Sequence, residues 1–269
     1  MKKKISYLSI SYTLFLILLF LSGALSGIIS EVVYLLAFAL PIALALYLAR
    51  EGRAEWGQYL SISGEGARKI LPLVAPTVSV IILISYLTSL LIFAISGKVN
   101  NVDVGDSFIM ALISHALVPA ILEEALFRYL PMRLLAPHSR RGAIILSAFF
   151  FSLVHHDLFS IPYAFVAGVI FMAVDLATDS VIPSVIIHFV NNALSVGILV
   201  FADNPAFAPA IYIILGILTV ASLCLIFVRR KQYCKMISVA FDKGEGVKFT
   251  TEAFIFAGLT LSLAVISLI

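Results

Sequence analysis

The strongest constraint on this chain is a succession of long apolar runs, separated by short basic or Pro/Gly breaks. A helix crossing the roughly 30 Å hydrocarbon core of a bilayer needs about 17–25 mostly apolar residues. Nine runs meet that length, at 5–29, 32–49, 70–96, 108–130, 142–158, 162–178, 181–202, 208–228 and 252–269. None shows the period of two that a membrane β-barrel requires. The expected fold is therefore all-α: a polytopic membrane helix bundle of eight to nine transmembrane helices. Eight would result if the last run lay on the surface, or if the short fifth and sixth runs formed one re-entrant hairpin. Composition agrees, with 62% apolar and only 12% charged residues in a chain of 269. A soluble domain carries about 25% charge.

Positive charge orients the bundle, because basic residues stay in cytoplasmic loops. With the N-terminus inside, the inner segments hold Lys2, Lys3, Lys4, Arg50, Arg53, Arg68, Lys69, Arg128, Arg133, Arg140 and Arg141. The last inner loop adds Arg229, Arg230, Lys231, Lys235, Lys243 and Lys248. Of the 18 basic residues only Lys98 falls outside. The expectation is an integral protein of a prokaryotic plasma membrane with a cytoplasmic N-terminus. The first apolar run exceeds the roughly 7–15 residues of a signal peptide's core, so it reads as a span rather than a cleaved leader. Segment 51–69 reads equally as a surface helix or a solvated loop. Cys224 and Cys234 face the reducing side and match no metal spacing. A net charge of +3 gives no sign of a nucleic-acid partner. We divide the chain into N-terminal spans at 1–107, a polar core at 108–202 and C-terminal spans at 203–269.

Polar groups at membrane depth are costly and mark function. They gather in the second half of the chain. The fourth run carries His115, Pro119, Glu123, Glu124 and Arg128; the fifth ends in His155 and His156; the sixth holds Asp175; the seventh has His188, Asn191 and Asn192. Glu124 and Arg128 stand at i,i+4 with the acid first, the better order for a helical ion pair. Glu123 points about 100° away and is left to face the bundle interior. His188 and Asn192 also share a face at i,i+4. Such groups suit hydrolysis. A carboxylate can take a proton from water, a histidine can share that water or protonate a leaving amine, and a histidine N–H with an amide can donate to a developing oxyanion. No serine or cysteine stands at a spacing that favours a covalent nucleophile, and Ser152, three residues before His155, is the one candidate worth testing.

Three motifs occur in order on separate spans: Glu123-Glu124-Ala125-Leu126-Phe127-Arg128 as Glu-Glu-x-x-x-Arg, Phe151-Ser152-Leu153-Val154-His155 as Phe-x-x-x-His, and His188-Phe189-Val190-Asn191-Asn192 as His-x-x-x-Asn. Over residues 108–202 the chain resembles the CPBP family of CaaX proteases and bacteriocin-processing proteins, also called Abi. The resemblance implies an intramembrane glutamic endopeptidase acting on a membrane-associated or lipidated peptide. By the family pattern Glu123 and His155 activate water, His188 and Asn192 form the oxyanion site, and Glu124 and Arg128 support it. The motif selects His155 over His156, and spacing selects Asn192 over Asn191. No cofactor is implied in this reading. A rival version places zinc on Glu123, His155 and His188. Polar groups inside a bundle also suit a transporter, or a non-catalytic immunity or scaffold protein that keeps the fold. His115, Asp175 and the last span match no motif. Substrate identity and oligomeric state are not encoded in any motif.

Overall fold

The computed structural model describes residues 1–50, 76–84, 107–155, 160–201, 208–231 and 249–266, with isolated positions between them. Among the described residues every regular element is helical. The order is α1 (Lys2–Ala24), α2 (Gly27–Ala49), α3 (Phe108–Leu134), α4 (Arg140–Leu153), α5 (Ser160–Thr178), α6 (Ile182–Phe201), α7 (Ala208–Val228) and α8 (Thr251–Ile266). The helices α1, α2, α3, α5 and α6 are long and apolar enough to cross a membrane. Two shorter apolar stretches lie in α7 and α8. The expected total of eight to nine spans goes beyond these five. Much of the run at 70–96, the surface segment 51–69, Lys98 and His156 lie outside the described residues.

The fifth run departs from its expected bounds. It spans Arg140–Leu153, capped by the Ser139 hydroxyl, which accepts from the Gly142 amide. With 14 residues at 1.5 Å rise, α4 is about 21 Å long, short of the roughly 30 Å core. Its pairing with α5 is unusually close. A Cβ built on Gly168 would sit 2.8 Å from the Ala148 Cα. Only glycine permits that approach, as at many helix contacts inside membranes.

α3 is not a uniform α-helix. Its turns widen to π geometry at Leu112–Leu117 and at Ala125–Tyr129, each just before a proline, Pro119 and Pro131. Proline has no N–H to give and its ring crowds the carbonyl four residues back. Pro131 lacks the one N–H that would reach Phe127 O in α geometry or Leu126 O in π geometry. Both carbonyls accept from hydroxyls of other helices. Tyr12 of α1 donates to Leu126 O at 3.2 Å, and Ser147 of α4 donates to Phe127 O. Tyr12 and Ser147 are fully buried. Around Tyr12 the rings of Phe127, Phe150 and Phe256 lie at 5.1, 4.6 and 6.2 Å, joining α1, α3, α4 and α8 in one aromatic core.

Candidate active site

α5 and α6 turn a small and polar stripe toward α3. On α6 the buried positions include Ser184, Ile187, His188 and Asn191, a three-and-four spacing that keeps one helical face inward. On α5 they include Ala164, Ala167, Gly168, Phe171 and Asp175. Asp175 Oδ1 accepts from the Ser184 amide at 3.0 Å, in the first turn of α6, and so caps the helix that carries His188 and Asn192. Between its two widened turns, α3 presents Glu123 and Glu124 to this stripe.

Glu124 and Arg128 are both fully buried and form the expected pair, with Nε 3.1 Å from Oε2. The arginine is enclosed by rings, its guanidinium carbon 4.2 Å from the centroid of Phe151 and 5.3 Å from that of Phe171. Glu124 does more than neutralise that charge. Its Oε1 accepts from His188 Nδ1 at 2.8 Å, across 64 residues of sequence. This bond fixes the ring, because the carboxylate is acceptor-only and Nδ1 must supply the proton. The other nitrogen, Nε2, then faces Glu123, 3.9 Å from its Oε2. Glu123 makes no pair with Arg128 and its side chain is 24% exposed, open toward the interior space.

His155 follows the end of α4. Its Nδ1 lies 2.9 Å from the Phe151 carbonyl oxygen, and the Phe151 ring stands edge-on 4.8 Å away. The Phe-x-x-x-His motif therefore has a local meaning. The phenylalanine orients the histidine through backbone and ring, while its other surface covers Arg128.

Glu123, His155, His188 and Asn192, from three different parts of the chain, line one cavity of about 290 Å³. Glu124 and Arg128 stand behind its wall. Among the residues that matched no motif, His115 lines the cavity as well, consistent with its position two turns before Glu123. Asp175 acts instead at the base of α6. Tyr163 and Asn191 are further lining residues. Asn191 was distinguishable in the sequence only as the neighbour of Asn192, and Tyr163 carried no signal at all. Among the described residues no three His, Cys, Asp or Glu side chains group closely enough to hold a metal ion. Both cysteines are free and exposed.

The arrangement brings a carboxylate, two imidazoles and an amide to one cavity, with His188 Nε2 3.9 Å from Glu123 Oε2. Those are the parts needed to deprotonate a water and to receive negative charge on an attacked carbonyl. Neither curated proteins nor solved structures match the chain. The region from α3 to α6 does match a known family, and the matched segment contains all three motifs. Residues 105–194 fit the family model described as type II CAAX prenyl endopeptidase Rce1-like, which places this segment in the CPBP family.

Proposed function

We propose that this integral membrane protein is an endopeptidase that cuts a lipidated or membrane-associated peptide by direct attack of water. The observation that carries the reading is the convergence of Glu123, His155, His188 and Asn192 on one cavity. The family of residues 105–194 supports a CAAX-type protease, and a prenylated tail is the first substrate to test. The basic residues favour a cytoplasmic N-terminus, with the cavity inside a prokaryotic plasma membrane.

In this mechanism water enters between Glu123 and His155. Glu123 takes a proton as the water oxygen bonds to the scissile carbonyl carbon. The carbonyl π pair moves to oxygen, where the Asn192 amide N–H and His188 Nε2–H receive it. Donation from the His188 Nε2 requires a proton there as well as on Nδ1. Glu124 holds the ring in place from behind. Collapse of the tetrahedral intermediate breaks the C–N bond, and the amine leaves with the proton returned through Glu123 and His155. One water is consumed, and one carboxylate and one protonated amine are released. Removing one such oxyanion donor costs about 10²–10³ in kcat in other hydrolases.

The test is cleavage by the purified full chain in lipid, with farnesylated and unfarnesylated CaaX peptides and mass mapping of the products. Farnesylated peptide should be cut by the wild type and left intact by Glu123→Ala and His155→Ala proteins that keep wild-type melting temperatures. Full cleavage by Glu123→Ala would sink the assignment.

A further inference from the structure

Asn191 stands beside the motif residue Asn192 and is 6% exposed. Its amide nitrogen has two hydrogens, and both have acceptors. One is Asn192 Oδ1 at 3.2 Å; the other is the hydroxyl oxygen of Tyr163 at 3.4 Å. All three side chains line the cavity. Asn191 and Asn192 ride on α6, while Tyr163 comes from α5. The contact therefore braces one helix against the other.

A primary amide has a donor end and an acceptor end of nearly the same size. An asparagine that receives an oxyanion must present its donor end. Turned over, it would meet the developing charge with a carbonyl oxygen and oppose it. Preorganisation gives such a site its effect, because the donors need not reorient as charge develops. Asn191 supplies that fixation by occupying the acceptor end of Asn192, which leaves the Asn192 N–H end for the cavity. Tyr163 in turn holds the donor face of Asn191.

We propose that Asn191, anchored by Tyr163, is a positioning residue that sets the Asn192 amide with its N–H end toward the substrate carbonyl. This rests on the oxyanion role given to Asn192 above.

Asn191→Asp tests it, since aspartate keeps the shape and replaces the donor with an acceptor. The Asn192 amide then turns its N–H toward position 191 and its oxygen toward the substrate. With farnesylated CaaX peptide in lipid, kcat should fall about 10²–10³-fold, as for Asn192→Ala, while KM stays within about threefold. In the Asn192→Ala background the same change should alter kcat by less than about threefold, because the two residues act as one unit. Tyr163→Phe adds no charge and removes the acceptor. It should lower kcat about 3–30-fold with KM unchanged, and again add nothing to Asn192→Ala. A folded Asn191→Asp protein with near wild-type kcat overturns the proposal, as does a loss that multiplies with that of Asn192→Ala. Should Asn191→Asp fail to fold, Tyr163→Phe decides by the same two criteria. A wild-type kcat for Asn192→Ala is a different result: it removes the oxyanion reading itself, and this proposal with it.

Discussion

Replacing Arg128 with methionine is the sharpest structural test, because volume is nearly kept and one charge is lost. Arg128 and Glu124 are each fully buried, 3.1 Å apart. Taking one partner from a buried pair leaves an uncompensated charge and costs about 3–5 kcal/mol. The guanidinium also lies over Phe151 and near Phe171, contacts worth about 0.5–2 kcal/mol when desolvated. Glu124 keeps its bond from His188 Nδ1, which holds the total near 3–5 kcal/mol rather than above it. On the scale of soluble domains of 150–250 residues, where 1 kcal/mol shifts Tm by about 2–4 °C, the loss corresponds to roughly 6–20 °C. Thermal unfolding in detergent micelles, followed by the fluorescence of a C-terminal reporter, gives the readout. The double variant Arg128→Met with Glu124→Gln removes both charges while a glutamine oxygen still accepts from His188. It should recover about 2 kcal/mol or more of stability over Arg128→Met alone. A single variant melting within about 2 °C of wild type, or a double variant less stable than the single, would refute the claim that this pair is a buried, mutually dependent unit.

Three further outcomes are expected. His188→Ala should lower kcat by about 10²–10³ with a much smaller change in KM, measured by steady-state cleavage, as its proposed oxyanion role requires. Tyr12→Phe should lower unfolding free energy by about 1–3 kcal/mol in a denaturant titration, since it strips the buried Leu126 carbonyl of its donor. Gly168→Ala should cost about 1–3 kcal/mol by the same titration and lower kcat, because the added methyl meets the Ala148 backbone at 2.8 Å and lies 3.4 Å from the Phe151 ring.

Much of this site could be read before any coordinates. The i,i+4 relation separated Glu124 from Glu123, and that separation holds in three dimensions: one glutamate faces the arginine and the other the cavity. Helix type and approximate bounds followed from apolar length. Other features were hidden for identifiable reasons. The Glu124–His188 bond joins residues 64 apart, and helical periodicity carries no information across that distance. The widened turns of α3 each precede a proline, and behind Pro131 hydroxyls from α1 and α4 reach the carbonyls of Leu126 and Phe127. A proline alone announces only a kink. Tyr163 looked like one more aromatic residue in an apolar run until the packing of α5 on α6 brought it to Asn191. His115 matched no motif and read as a structural residue, yet it lines the cavity.

The two carbonyls before Pro131 that accept hydroxyls from neighbouring helices have a consequence for assembly. Apolar helices in lipid can slide past one another at little cost, since hydrocarbon contacts are the same at every depth and lipid replaces them readily. A backbone oxygen without a partner in hydrocarbon is different, because it costs several kcal/mol until a donor reaches it. Leu126 and Phe127 thus act as two fixed docking marks on α3. Tyr12 and Ser147 can meet them only when α1 and α4 stand at one height. A defect in a single helix in this way sets the vertical alignment of its two neighbours, and with it the level at which His155 and Glu123 reach the cavity.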